Sequence, residues 1–168
     1  MNRIKVIAQI GYSQTETWIA RVYGDAYAVR LEDIPSLPKF GWMPVGTVEF
    51  CRAAMAHQGI VEYRFYVLHG EILGYGRYDD REDDPNDPLP LDMKAVREMI
   101  DAYQKAGSPA GYGLDVGVSD EDGMTKLVEV NDGWALGFYK GSCSHRDYLR
   151  LLELRWLETS AHLAQEVS

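Results

Sequence analysis

The pattern of apolar and polar positions is sharpest in the middle of the chain, where it predicts a β-hairpin. Apolar residues occupy the odd positions over 61–68, and a His-Gly pair gives a tight turn into a returning strand over 71–78. Because side chains alternate across a strand, Glu62 and Arg64 are expected on one face and the odd-numbered apolar residues in the core.

Helical spacing of apolar residues, with a capping residue in front, predicts three helices. The first follows Thr47 and ends at Gly59, the second follows Asp92 and ends near Gly107, and the third begins after Ser144. Each capping side chain can accept a hydrogen bond from a backbone N–H group that the first helical turn leaves unpaired.

The N-terminal quarter is less regular. Residues 4–10 are rich in isoleucine and valine and predict a first strand, and residues 27–31 predict a short one. Residues 17–23 fit a helix or a strand. Two prolines predict that residues 34–38 form a loop, because proline removes a backbone donor.

Helices and strands do not alternate regularly, so the predicted fold class is α+β, with antiparallel hairpins packed by helices. A length of 168 residues predicts a single compact domain over 1–168. Within it we distinguish an N-terminal strand-containing segment (1–43), a core (44–143) and a C-terminal helix (144–168).

Charge and composition exclude several classes of protein. With 17 basic and 26 acidic residues, the net charge of −9 argues against a non-specific nucleic-acid binder. No stretch approaches the roughly 18 apolar residues of a membrane span. The first residues do not resemble a signal peptide, and Cys51 and Cys143 are expected as free thiols, so a cytoplasmic location is predicted.

Two short glycine motifs are candidates for binding loops. Gly74-Tyr75-Gly76 and Gly111-Tyr112-Gly113 lack the third glycine of a dinucleotide-binding fingerprint, and they are interpreted as bends or turns. The triplet from His145 to Asp147 imitates a kinase catalytic loop but lacks the asparagine that should follow, so helix capping explains it better.

A second hairpin carries the candidate chemistry. Residues 112–118 and 126–131 predict its strands, and the acidic, glycine-containing segment between them has the composition of a turn. If Val118 pairs with Lys126, the sum of paired residue numbers stays constant along the antiparallel ladder, which sets the register of the whole hairpin.

This register places Asp115 opposite Glu129, with Asn131 on the same face. Two carboxylates that face each other repel, and the apolar neighbours indicate a partly buried site where an unpaired charge is costly. A divalent cation would resolve the conflict, and Mg²⁺ prefers such oxygen ligands. The alternative is an edge hairpin whose polar face meets water.

The same segments resemble the metal-binding end of ATP-grasp enzymes, and most of all the short ATP-grasp domains associated with phages and bacteria. The similarity rests on residues 112–118 and 127–139, where an Asp is followed by Glu-x-Asn. Residues 61–67 resemble the strand that precedes this motif, and residues 44–50 resemble a segment further upstream. Together the resemblance covers about residues 44–139.

ATP-grasp proteins bind ATP between two α+β lobes and activate a carboxylate as an acyl phosphate, which an amine or thiol attacks. The resemblance therefore implies ATP and Mg²⁺ as cofactors and an ATP-dependent carboxylate–amine ligase type of activity. It implies that Asp115, Glu129 and Asn131 hold Mg²⁺. It also implies that Arg64 is catalytic and contacts the phosphates or the acyl phosphate, where its planar donor fork suits the oxygens.

Further nucleotide contacts are expected from Glu62, Trp134 and Lys140. Trp134 beside the acidic face can stack on a base or serve as a core or rim aromatic residue. Lys140 is one of three lysines considered for the phosphates, with Lys5 and Lys39. For Arg64, the alternative role is a cross-strand ion pair with Glu62 or Glu71.

The chain departs from the family pattern in one respect. Only residues 51–60 separate the upstream segment from the Glu-x-Arg strand, where the family has a second lobe with a lysine, a Gly-rich loop and the adenine hinge. Three alternatives follow: a minimal enzyme, a half-site completed by a homodimer or another chain, and a non-catalytic binding module. The expected partners are a nucleotide and a small-molecule or peptide carboxylate or amine.

Overall fold

The computed structural model describes residues 5–13, 25–78, 89–119, 121–139 and 141–166. The chain divides into two compact units. The first comprises Met1–Ile60 with Ser119–Asp122, and the second comprises Val61–Val118 with Gly123–Ser168. No helix in the described ranges is both long and apolar enough to cross a membrane.

The first unit contains a parallel sheet. Its central strand β1 (Lys5–Gln9) pairs with β2 (Asp25–Val29) on one side and with β3 (Trp42–Val45) on the other. The first two strands confirm the predictions from composition, whereas β3 was not predicted. The predicted loop over 34–38 is wrong in its first part, because Leu31–Ser36 form a 3-10 helix.

Helix α1 (Val48–His57) packs against this sheet. The predicted cap is present, since the Thr47 hydroxyl accepts a hydrogen bond from the Phe50 N–H at 3.3 Å. Phe50 and Ala54 are buried in the core of the first unit. The other buried members of that core are Ile7, Ile34 and Trp42.

The second unit is built on an antiparallel sheet whose strand order is β5-β4-β6-β7. The predicted hairpins are both confirmed: the first joins β4 (Ile60–Leu68) to β5 (Glu71–Arg77), and the second joins β6 (Gly111–Ser119) to β7 (Thr125–Asp132). This sheet and its helices agree with the predicted α+β class.

One face of the sheet packs against helix α2 (Met93–Lys105). Asp92 caps this helix as predicted, and its carboxylate accepts the Lys94 N–H at 2.9 Å. Val96 and Ile100 of the helix are fully buried. They share a core with buried strand residues of β4 and β6, namely Tyr63, Phe65, Val67, Tyr112, Leu114 and Val116.

The even-numbered residues of β4 from Arg64 onward are also buried, which the alternation pattern did not predict. Tyr66 lies in a separate core with Leu136 and with Leu151 of helix α3 (His145–Glu166). Arg64 is 6% exposed. Helix α3 begins after Ser144, whose hydroxyl accepts the Asp147 N–H at 3.1 Å, so the predicted cap is confirmed.

The glycine motifs lie inside strands, and their interpretation as bends or turns was wrong. Gly74 belongs to β5 and Gly113 to β6. A Cβ atom on Gly74 would overlap the carbonyl oxygen of Ser142, and one on Gly113 would lie 2.5 Å from Leu136 Cδ2. Glycine is therefore required at these positions because the segment after β7 lies directly on the sheet.

Candidate functional site

The predicted pairing of the two carboxylates is present in the second hairpin. Asp115 of β6 pairs with Glu129 of β7, and the register then shifts by one residue. Val118 consequently pairs with Thr125 and not with Lys126, so that part of the predicted register was wrong. The shift is a β-bulge, which places one unpaired residue in β7 and bends the strand beside the carboxylates.

Arg64 of β4 forms a two-point ion pair with Asp115. Its Nε donates to Oδ1 at 2.8 Å and its Nη2 donates to Oδ2 at 2.5 Å. The side chain of Arg64 is 7% exposed and that of Asp115 is fully buried. A bidentate geometry of this kind is among the strongest hydrogen-bonded contacts in proteins.

Asn131 links the two carboxylates. Its Nδ2 donates to Asp115 Oδ2 and to Glu129 Oε1, both at 3.0 Å. Glu129 Oε1 also lies 3.8 Å from Arg64 Nη2, and its side chain is 53% exposed. We call Arg64, Asp115, Glu129 and Asn131 the Asp115 cluster: it is buried at Asp115 and open to solvent at Glu129.

The charges of the Asp115 cluster are partly balanced within the chain. Burial raises the pKa of Asp115, and the hydrogen bond and charge of Arg64 oppose that rise. Burial would lower the pKa of Arg64, but Asp115 outweighs it and holds this pKa above its ordinary value. The repulsion that predicted a bound cation is thus relieved by Arg64, and one net negative charge remains.

Two tyrosines enclose the guanidinium of Arg64. Its Cζ lies 5.2 Å from the ring centroid of Tyr78 and 5.3 Å from that of Tyr139, within the range of cation–π attraction. Burial raises the pKa of Tyr139, and its hydrogen bond with Tyr78 acts in the same direction. The role of Tyr78 was not predicted. Its signal is its position two residues beyond Gly76, the residue that pairs with Arg64 in the first hairpin.

The remaining predicted contacts are spread more widely. Glu62 is half-buried on β4, and its carbonyl accepts the Tyr78 N–H at 2.9 Å. Trp134 is 53% exposed and packs edge-to-face on Trp156 at 6.4 Å between ring centroids. Lys140 lies outside the described residues.

The other two lysines considered for the phosphates belong to the first unit. Lys5 lies in β1 and is half-buried. Lys39 is exposed in the segment before β3, and its Nζ lies 5.3 Å from the ring centroid of Phe40. Neither position adds support to a phosphate contact, so the phosphate-binding lysine stays a prediction without a position.

A second ion pair beside the Asp115 cluster was not predicted. Arg155 of α3 donates from Nε and Nη2 to the two carboxylate oxygens of Asp132, at 2.9 and 2.6 Å. Its Nη1 contacts Glu158 Oε2 at 3.1 Å, and Glu158 accepts the Ala110 N–H at 2.9 Å. These contacts fasten α3 to the end of β7, one residue beyond Asn131.

The donor chemistry of the Asp115 cluster fits Mg²⁺. Two carboxylates and an amide supply the hard oxygen atoms that this ion prefers, and the remaining negative charge favours a cation. Asn131 directs its Nδ2 toward both carboxylates, so metal binding by its oxygen requires the amide to rotate. Among the described residues, no group of three or more His, Cys, Asp or Glu side chains is arranged around one metal position.

Comparison with known families agrees with the resemblance seen in the residues. A family model described as an ATP-grasp domain, family 3 of its clade, matches residues 26–156, which is more than half of the chain. No curated protein matches the chain. The chain therefore belongs to this ATP-grasp family, a nucleotide-binding class, and all four residues of the Asp115 cluster lie within the matched range.

Proposed function

From this family membership, we propose that the chain binds ATP with Mg²⁺ at the Asp115 cluster and is a ligase of the carboxylate–amine type. The observation that supports the proposal is the meeting of Asp115, Glu129 and Asn131 in one hydrogen-bonded group that reaches solvent at Glu129. The substrates would be a nucleotide and a small-molecule or peptide carboxylate and amine.

Each residue of the Asp115 cluster has a distinct role in this proposal. Glu129 offers the most exposed oxygens, and Asp115 and Asn131 would complete the metal site. When bound, Mg²⁺ bridges phosphate oxygens and neutralises charge that develops on them. Arg64 would act on the phosphates or the acyl phosphate, since a guanidinium carries five N–H donors and only part of this set faces Asp115.

The remaining nucleotide contacts are proposed on weaker grounds. Trp134 presents an exposed indole three residues beyond Asn131, and a purine base can stack on such a surface. Glu62 shares a strand face with Arg64, and Lys140 is proposed for the phosphates. A cytoplasmic location is also proposed, in agreement with the free thiols of Cys51 and Cys143.

A matched pair of glutamate variants tests the metal and nucleotide site. Glu129→Gln should weaken binding of Mg²⁺-ATP in calorimetry by about 10- to 100-fold, the usual cost of disturbing a metal site. Glu153→Gln, on the exposed surface of α3, removes the same charge and should leave the affinity unchanged. Equal affinities for Glu129→Gln and the wild type would overturn the site.

A thermal-shift measurement tests nucleotide binding itself. Any ligand that binds only the folded state raises the melting temperature, and the rise grows with ligand concentration. Mg²⁺ with ATP, ADP or AMP should therefore stabilise the full chain. If none of these nucleotides shifts the melting temperature at millimolar concentration, the proposed function is wrong.

One structural observation favours a second candidate, a binding module that holds nucleotide without turnover. Helix α1 ends at His57 and β4 begins at Ile60, so no lobe is inserted at the position where the family carries one. Phosphate release in the presence of ATP, carboxylates and amines distinguishes the two candidates. Sedimentation at several concentrations then shows whether a homodimer completes the site.

A further inference from the structure

The carboxylate of Asp115 is already occupied by donors from the chain itself. Oδ1 accepts one hydrogen bond from Arg64, and Oδ2 accepts one from Arg64 and one from Asn131. A carboxylate offers about four acceptor positions, so most of its capacity is used. Because the group is fully buried, a metal ion has to compete with the guanidinium for the same oxygens.

A guanidinium and a divalent cation on one carboxylate repel each other strongly where the environment excludes water. Arg64 itself is 7% exposed, so its charge cannot be left unpaired without a large cost. A metal ion that takes Asp115 therefore requires another anion for Arg64. Phosphate suits this role, because its oxygens match the planar donor fork as well as a carboxylate does.

We propose that Arg64 exchanges between Asp115 and the nucleotide phosphates, which makes metal and nucleotide binding cooperative. This inference rests on the proposed function. Without nucleotide, Arg64 holds Asp115 and metal binds weakly. With nucleotide, the phosphates take the guanidinium and Asp115 turns to the metal. The rings of Tyr78 and Tyr139 remain beside the guanidinium and support it through the shift.

The experiment measures Mn²⁺ affinity of the full chain by calorimetry, with and without a non-hydrolysable ATP analogue. In the wild type, the analogue should tighten Mn²⁺ binding by about tenfold or more, which is within the usual range of coupling between sites. Arg64→Met should bind Mn²⁺ alone about tenfold more tightly than the wild type and the analogue about tenfold more weakly, and the two ligands should bind independently.

Opposite changes in two affinities separate exchange from a purely structural role, because a damaged fold weakens both. Arg155→Met is the matched control: it removes the same charge and a similar two-point ion pair from the same unit. Its Mn²⁺ affinity should remain at the wild-type value. Weaker or unchanged Mn²⁺ binding in Arg64→Met, or equal tightening in Arg155→Met, would overturn the proposal.

Arg64→Lys provides a second test that does not depend on tolerance of the Met variant. Lysine keeps the charge but lacks the planar fork, so Mn²⁺ should bind more tightly and the analogue more weakly, in the same directions as Arg64→Met. Any other pattern contradicts the exchange. A wild type that binds both ligands independently refutes only the exchange, whereas one that binds neither refutes the proposed function as well.

Discussion

Arg64 and Asp115 are 51 residues apart in the sequence and form a buried two-point ion pair between adjacent strands. The guanidinium Nε lies 2.8 Å from Oδ1, and Nη2 lies 2.5 Å from Oδ2. Neither partner has access to enough water to replace the other. The stability of the second unit should therefore depend on keeping both charges or removing both.

Asp115→Leu should lower the free energy of unfolding by about 3–5 kcal/mol, because Arg64 then remains buried without its counter-ion. The double variant Arg64→Met/Asp115→Leu should recover most of that loss, since no unpaired charge is left. Urea denaturation measures both values. Additive losses in the double variant would show that the ion pair does not couple the two side chains.

Gly74 should not tolerate a side chain. A Cβ there would overlap the Ser142 carbonyl oxygen and lie 2.7 Å from Cys143 Cβ, so Gly74→Ala should destabilise the protein by about 1–3 kcal/mol through overpacking. Gly137→Ala is the control, because its Cβ would meet nothing within 4 Å. Equal unfolding midpoints for these two variants would show that the segment after β7 moves away readily.

The ion pair of Asp132 with Arg155 should make stability depend on pH. The hydrogen bond from Arg155 lowers the pKa of Asp132 below its ordinary value of 3.8. A lowered pKa in the folded state contributes stability that is fully present above the ordinary value and lost as pH falls through the lowered one. The effect should be small, because the Asp132 side chain is 37% exposed.

The measurement compares urea midpoints of the wild type and Asp132→Asn from about pH 6 to about pH 2.5. The difference between them should shrink as the pH falls. Asp101→Asn, which removes an exposed carboxylate from α2, serves as the control for the change in net charge. A difference that stays constant over this range would mean that the ion pair does not contribute.

Trp134 should matter for nucleotide binding and little for stability. Trp134→Ala removes a ring that is 53% exposed, so the melting temperature should change by little more than for other surface substitutions. If adenine stacks on this ring, affinity for Mg²⁺-ATP should fall by about tenfold, as is usual when a stacking aromatic residue is removed.

Leu149→Ala is the matched control for the tryptophan variant. Leu149 is also a large apolar residue on the surface of the second unit, with 61% exposure, and its replacement should leave nucleotide affinity unchanged. Equal affinities for the wild type and Trp134→Ala would remove Trp134 from the nucleotide site. Intrinsic fluorescence with and without ATP gives an independent measure of the same contact.

Local patterns in the sequence were sufficient for most elements of the second unit and for one pairing in the site. Alternation and turn residues predict both hairpins, and antiparallel pairing brings Asp115 opposite Glu129 because these residues share one short hairpin. The capping residues Asp92 and Ser144 predict the starts of two helices for the same reason: each acts on backbone groups within one turn of itself.

Contacts between distant segments depended on the tertiary structure. The pairing of Arg64 with Asp115 requires β4 and β6 to be neighbours, and the sequence allowed Glu62 or Glu71 as partners equally well. The same is true of Arg155 with Asp132, where a helix meets the end of a strand. Strand order and helix docking follow from the packing of the whole core, and these decide which charges meet in the site.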